Sequence, residues 1–378
     1  MTIQQAINRN LFPEIDIYIQ QYGGGSIEIN PRAITGIQST GDCIGGNRVR
    51  PGGCTPKTFT VTINPQLLTG ITPTDFIEYI YNGYYITKVA PLDIGLDKYF
   101  ISYTYTYHKG RSDEDVLTYH DPMLYRLYDV KVESTERVIL ELRDRFAENG
   151  YNKPFWTSYV QSQYESQFST RNLRTLFEFC VTYKNSNASV SGLSYIPQTA
   201  ILQYPDEGST RQQILRWIAE TCACIVVMDP DTENTVRAVK MTFQYSPFVA
   251  SINAEHCLDY TIPGYEVMDT NLSNYLIDVN GNPFIDASNK GTIRSNIQTV
   301  FSGTYRNTYR PAVITAKFDP RINPACGAWL SKFTCWDKDG SNFILTDTPS
   351  NAYVYITNYT WGGGLFMELT AAPLYETS

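Results

Sequence analysis

The chain has 378 residues, enough at roughly 100–200 residues per domain for two or three domains with cores of their own. Thirty Lys and Arg against thirty-eight Asp and Glu leave a formal charge of −8, and charged residues are only 18% of the chain; that balance excludes the basic footprint of a nucleic-acid-binding surface. Twenty-nine Tyr, 17 Phe and 5 Trp exclude intrinsic disorder and suit strands and contact surfaces.

Along the chain, Asp16–Gln20 and Ser26–Asn30 alternate apolar and polar residues on either side of Gly23-Gly24-Gly25, which predicts a hairpin. A Gly-rich stretch, Gly41–Gly53, with Cys43 and Cys54 near its ends, leads into the alternating run Thr58–Asn64. Ile77–Ile80 and Tyr84–Val89 flank Asn82-Gly83, a dipeptide suited to a type I′ hairpin turn. Tyr99–His108 alternates again. Residues 1–110 thus read as one β domain.

The period then changes. Glu133–Asn149 carries Val138, Ile139, Leu142 and Phe146 among charges, with Ser134 or Thr135 as cap and Gly150 beyond its end, and predicts an amphipathic helix. A second helix is predicted over Ser209–Glu220, with Ile214, Leu215, Trp217, Ile218 and Thr221 on one broad face, followed by a buried-type strand Cys224–Asp229, a turn, and Val236–Phe243. Residues 111–245 read as a mixed α/β middle domain. From 246 the chain is loop-rich, including Asn280-Gly281-Asn282-Pro283, then returns to strands at Ala312–Phe318, Phe333–Asp337, Asn342–Thr346, Val354–Thr360 and Leu365–Thr370. Asp339-Gly340 and Gly362-Gly363-Gly364 supply turns. Residues 246–378 form the C-terminal β domain of this reading, and no fixed-period repeat marks a solenoid or propeller. The expected fold class is α+β, mostly β.

No run reaches the ~18–20 apolar residues of a membrane span, and Met1-Thr2-Ile3-Gln4-Gln5 has neither a basic n-region nor an apolar h-region; neither a membrane segment nor an ordinary signal peptide is expected. The eight cysteines are scattered and form no disulfide framework. Sequons at Asn187, Asn271 and Asn358 are given no weight.

The search for chemistry is short, because there are three histidines, His108, His120 and His256. His256-Cys257 beside Glu255 has no Gly-x-Ser-x-Gly elbow and reads as a loop histidine next to a buried thiol. His108 and His120 bracket Asp113, Glu114, Asp115 and Asp121, a set that reads as a solvated loop rather than a metal cluster. Cys222-Ala223-Cys224 lacks zinc-knuckle spacing and reads as small core residues. Asp229–Glu233 and Asp278–Asn282 resemble the start of a calcium loop, but Asn234 and Pro283 stand where Gly is needed, and Lys240 and Asn289 where Glu is needed. No Walker loop, Rossmann fingerprint or flanked acid pair is present. No catalytic, cofactor or metal residue is assigned, and no enzyme is expected.

Two passages carry a family resemblance. Tyr204-Pro205-Asp206-Glu207-Gly208-Ser209-Thr210-Arg211, continuing through Ile218-Ala219-Glu220 to Cys224–Asp229, resembles the Thr-x-Arg … Ile-Ala-Glu helix and following strand of baseplate hub, or tail-associated, proteins of long-tailed bacteriophages. Phe318-Asp319-Pro320-Arg321-Ile322, Trp336-Asp337-Lys338-Asp339-Gly340 and Ile356–Leu369 with its Gly-Gly-Leu turn are similar to the closing β segment of such hubs. Ile15–Ile19, Ile27–Ile29 and Ile34–Ile37 match the order of the hub's first β domain, whereas Cys326-Gly327-Ala328-Trp329 departs from the usual Gly-Asp of the last segment.

The resemblance implies two β-barrel-like, tail-tube-type domains and a homotrimer forming a pseudo-sixfold ring at the virion tail tip, made in the host cytoplasm. Its implied partners are the distal tail protein or tail tube, the tape-measure protein, and a tip, spike or fibre protein. DNA is implied only in passage, which a net negative charge suits. No appended hydrolase or fibre region is expected beyond Ser378. Two other readings stay open: a receptor- or carbohydrate-binding β protein using exposed Tyr and Trp, and, ranked last, a cell-wall hydrolase.

Overall fold

The computed structural model describes residues 1–42, 52–89, 97–144, 146, 151, 153–184, 188–229, 232, 235–240, 249–261, 281–286, 288–295, 312–324, 326–336, 342–344 and 353–372. Cys43, the sequons Asn187 and Asn271, Asp278–Asn280, the Asp339-Gly340 turn and 241–243 lie outside them.

The chain opens with helix α1 (Ile3–Asn8) and strands β1 (Glu14–Gln20), β2 (Ser26–Ile29), β3 (Ile34–Asp42) and β4 (Thr58–Ile63). Helix α2 (Pro73–Val89) precedes β5 (Lys98–Tyr107), β6 (Asp115–His120), β7 (Arg126–Ser134) and β8 (Arg137–Arg143). Helices α3 (Ser158–Gln167) and α4 (Leu173–Thr182), the short β9 (Ser189–Ser191), helix α5 (Arg211–Thr221), β10 (Cys224–Met228) and β11 (Thr235–Lys240) form the middle. The last strands are β12 (Val249–Asn253), β13 (Cys257–Thr261), β14 (Ala312–Lys317), β15 (Gly327–Ser331), β16 (Thr334–Trp336), β17 (Asn342–Ile344), β18 (Tyr353–Trp361) and β19 (Phe366–Ala372). The protein is mostly β, as the sequence predicts.

Alternation explains the first sheet. Ile15, Ile17 and Ile19 of β1 are buried while Glu14, Tyr18 and Gln20 face water, so one face of the antiparallel order β2-β1-β5-β6 is apolar. A larger sheet runs β13-β14-β19-β18-β3-β4-β8-β7, with β15 on β18 and β12 parallel to β15. One edge of β18 is shared: Tyr353–Tyr355 pair with β15, and Asn358–Trp361 pair with Asp42–Ser39 of β3. The sheet therefore takes strands from 34–63, 126–143 and 249–372. Aromatic rings fill the space between the two sheets, with Tyr103 5.4 Å from Phe318 and 6.1 Å from Trp361, and Phe59 6.1 Å from Tyr125.

Two predicted elements are corrected. Within the expected helix over Glu133–Asn149, the segment Glu133–Arg143 belongs to the β7–β8 hairpin: Val138, Leu140 and Leu142 are buried at a period of two while Arg137, Ile139, Glu141 and Arg143 alternate with them. Ser134, expected to cap a helix, instead accepts from the Glu136 amide in the hairpin turn. The expected Asn82-Gly83 hairpin is the interior of α2. Thr72 caps that helix by accepting from the Asp75 amide, Pro73 opens it, and Phe76 and Ile80 bury fully at i, i+4. The local turn preference of Asn-Gly yields to that burial.

Sequence and structure agree at α5, where Thr210 and Gln213 form a capping box and Ile214, Leu215 and Ile218 are buried. α4 packs on α5, and α5 on β10. The end of the Gly-rich stretch docks here: the Gly52 amide donates to the Cys224 carbonyl and the Val226 amide to the Gly53 carbonyl, both at 2.7 Å. Gly52 has φ +86, and a β-carbon there would sit 2.3 Å from Glu220 Cγ and 3.0 Å from the Arg216 carbonyl. Gly208 has nearly the same φ, +88, with nothing within 4 Å. In urea denaturation, Gly208→Ala is expected to cost only the left-handed backbone penalty, ~1 kcal/mol, and Gly52→Ala at least twice as much; equal losses would remove the steric account of the docked segment.

Candidate functional site

Lys57 stands at the entry to β4, and its side chain is 5% exposed. A buried ammonium must be paired. Its Nζ lies 3.2 Å from Asp121 Oδ2 and donates to Asn323 Oδ1 at 2.8 Å, with the Tyr125 and Tyr359 rings each 5.7 Å away. Asp121 also accepts from the Met123 amide at 2.9 Å and from the Tyr125 hydroxyl at 3.1 Å. The Tyr359 hydroxyl bonds Ser39 Oγ at 3.0 Å. The backbone of Lys57 exchanges hydrogen bonds with Asp144, which follows β8. Burial pulls the Lys57 pKa down, but the Asp121 charge, then Tyr359, outweighs it and the ammonium is held above its ordinary value.

Asn323 is itself placed by Arg321, whose guanidinium grips Asp319 through Nε at 2.9 Å and a second nitrogen at 2.6 Å; the Arg321 carbonyl accepts from Asn323 Nδ2 at 3.2 Å. The cluster draws residues 39 and 57, 121 and 125, and 323 and 359 to one point. It is a structural clasp, with no open face for a substrate.

The sequence candidates fall apart in space. Asp113 and Glu114 are exposed, as expected of a solvated loop; His108 Nδ1 is 2.5 Å from Asp113 Oδ2 and stacks on Tyr107. Asp115 meets the Met1 amine at 3.0 Å. Asp121, expected in the same solvated set, is instead the buried anion of the clasp, because it turns inward immediately after β6. His256 and Cys257 line a cavity of about 30 Å³, room for one water, and burial pushes the Cys257 thiol up to about 11. Burial likewise pushes Cys180 and Cys326 up to about 12, far from a nucleophilic thiolate at neutral pH. Asp229 pairs with Arg237 at 2.5 Å, and Asn282 donates to Glu220 and to the Trp217 carbonyl, so these two described residues of the calcium-like runs are engaged in packing. Among the described residues no group of three His, Cys, Asp or Glu is placed to hold a metal.

One pairing escaped the sequence reading. Across β1, β5 and β6, Asp16, Ser102 and His120 stand in one row, with Ser102 Oγ 2.8 Å from His120 Nδ1. Only strand register brings these together. The acid stands beside the serine rather than behind the histidine, and the row lies on the outer sheet face, so it lacks the order of a charge-relay triad. Burial, then Glu28 and Glu14, raise the Asp16 pKa. A groove of about 430 Å³ runs along Phe12–Ile15, Pro31–Arg32, Ile34–Ile37 and Gly362–Gly363. Among the described residues, no helix is long and apolar enough to cross a membrane.

No family model matches the chain, and no curated protein matches it. Solved structures do. The 43 kDa tail protein of prophage MuSo2 from Shewanella oneidensis is 11% identical over 95% of this chain and 98% of that one, with a TM-score of 0.46. Prophage tail protein gp18 from Listeria monocytogenes is 8% identical over 96% and 95%, with a TM-score of 0.41. A Francisella PdpA-VgrG complex is 9% identical over 97% of this chain and 60% of that one, with a TM-score of 0.42.

Removing the clasp's cation strands its anion. Lys57→Met is expected to cost about 3–5 kcal/mol in chemical denaturation, and adding Asp121→Asn to recover part of that loss; two additive losses would show that the pair is not coupled.

Alkaline pH tests the buried tyrosines. Burial holds Tyr99, Tyr103 and Tyr125 well above the ordinary tyrosine pKa. Above about pH 10 the unfolded chain therefore releases protons that the folded chain keeps, and stability falls as pH rises. Lys57 acts in the same direction: its contribution is whole below its unfolded pKa and is lost as pH rises through the folded one. The expected result is a step in tyrosinate absorbance coincident with loss of the far-UV dichroism. Complete ionisation with the dichroism unchanged would contradict the burial.

Proposed function

We propose that the chain is a structural hub protein of a phage tail tip or baseplate, working as a trimeric, pseudo-sixfold ring between the tail tube and tip or fibre proteins, with DNA passing through and no catalytic role. The observation that carries this reading is the adjacency of β3 and β18. Ile34–Ile37 belong to the opening passage that resembles a hub, and Asn358–Trp361 to the closing one. Their strands meet in one sheet, through the residues that follow Ile37 in β3, registered from Asp42↔Asn358 to Ser39↔Trp361. Gly363, of the hub-like Gly-Gly-Leu turn, packs against Ile37.

A hub must be stiff where it is threaded, and a sheet that joins both ends of the chain supplies that stiffness. The third resembling passage, α5 with β10, stands on its own small sheet, order β10-β11-β9, tied to the N-terminal segment through Gly52 and Gly53. Partners at the ring's faces and a location at the virion tail tip belong to this proposal.

Mass photometry and negative-stain imaging of the full chain, alone and with purified tail tubes, test it. Threefold rings in either condition are expected. Monomers in both, with no binding to tubes, would overturn the reading.

A further inference from the structure

Three buried groups of the clasp are also reactants for one another. Lys57 Nζ donates to Asn323 Oδ1 at 2.8 Å and to Asp121 Oδ2 at 3.2 Å, so an amine, a carboxamide and a carboxylate meet at one point. Lys57, Asp121 and Asn323 are 5%, 3% and 5% exposed, and the Tyr125 and Tyr359 rings wall the site against bulk water. The carboxamide is oriented at both ends. Its oxygen faces the amine, and its nitrogen donates to the Arg321 carbonyl at 3.2 Å. Only a neutral amine attacks a carbonyl, and the base that can make one is already in contact: Asp121 lies within hydrogen-bond reach of the proton. Burial is the largest influence on Lys57 and favours the neutral amine; the Asp121 charge, then Tyr359, opposes it. When the proton crosses to Asp121 that opposing charge disappears, and burial then favours an uncharged amine beside an uncharged acid.

We propose that the folded chain joins Lys57 to Asn323 by an isopeptide bond, with Asp121 as the proton carrier. The ion pair assembles the site, and the bond forms in it afterwards. Asp121 takes a proton from Lys57, and the Nζ lone pair attacks Asn323 Cγ while the carbonyl electrons move to Oδ1. The tetrahedral intermediate re-forms its carbonyl and breaks the Cγ–Nδ2 bond. Asp121 relays the two protons shed by Nζ to the departing nitrogen, which leaves as ammonium, and Asp121 ends as the carboxylate it began. One ammonium side chain and one carboxamide thus become one secondary amide and one ammonium ion, with no oxidant and no other reactant. A carboxamide is a poor electrophile, so the step depends on fixed geometry, worth an effective concentration of up to ~10⁵–10⁸ M, and on the placed carboxyl, worth ~10²–10⁴-fold. The bond closes a loop between residues 266 positions apart, tying the entry to β4 to the loop after β14.

The full native chain is purified, aged at neutral pH, and read by intact mass and tryptic peptide mapping under denaturing, reducing conditions. The expected product has lost the mass of one ammonia and yields a branched peptide that joins the Lys57 and Asn323 segments and is uncleaved after Lys57. A wild-type chain that keeps its full mass and is cut at Lys57, or that loses ammonia at another asparagine without the branched peptide, would overturn the proposal. That reading does not depend on any variant folding. Asp121→Asn, checked for native circular dichroism, is expected to keep its full mass; a folded Asp121→Asn chain that bridges as fast as wild type would remove Asp121 from the reaction.

Discussion

The fold turns on one buried charge pair. An ammonium and a carboxylate taken out of water cost several kcal/mol each before they attract one another. Lys57 and Asp121 recover that cost only because Asn323, Tyr125, Met123 and the aromatic walls of Tyr125 and Tyr359 are all in place. Those groups come from the entry to β4, the loop after β6, the loop after β14 and the middle of β18. A pair of this kind adds little net stability over an apolar core. What it imposes is a single arrangement, since any other packing of these segments leaves a charge buried and alone.

The clasp explains why glycine and aromatic residues gather around it. At Gly41, beside the clasp, an added β-carbon would lie 2.5 Å from both Pro324 and the Tyr359 ring. β3 can therefore approach β18 only without a side chain there. Two residues along the same face of β18, Phe318 stacks on Trp361 at 3.7 Å, and the indole nitrogen of Trp361 donates to the Gly364 carbonyl at 2.7 Å. The Gly-Gly-Leu turn is thus held from inside. Part of the high aromatic content packs here and in the rings around Trp156, Tyr164 and Phe179, so contact surfaces are not its only use.

Much of the fold was legible in the sequence where local and tertiary demands agree. The period-two pattern of Ile15, Ile17 and Ile19 and the cap-plus-apolar-face pattern of α5 are decided within the segment. Two elements were misread where a local signal competed with a stronger distant one. Asn82-Gly83 is a turn in isolation, but α2 buries Phe76 and Ile80. Val138, Ile139 and Leu142 fit a helical stripe, but Leu140 is buried beside them and β4 supplies a strand to pair with, from Thr58↔Arg143 to Ile63↔Val138. The site was least legible. Lys57 and Asp121 are 64 positions apart, and no periodicity announces a buried lysine; the Ser102–His120 pair exists only through the register of β5 on β6.

The central claim is that the opening and closing strands form one cooperative body through β3, β18 and the clasp. Native-state hydrogen exchange, followed by peptide mass spectrometry across increasing denaturant, tests it most directly. Amides of β3 and β18 should exchange through one shared opening with the same free energy and the same denaturant dependence. If β18 opens at a free energy well below that of β3, with its own shallower denaturant dependence, the two strands are not one body and the account fails.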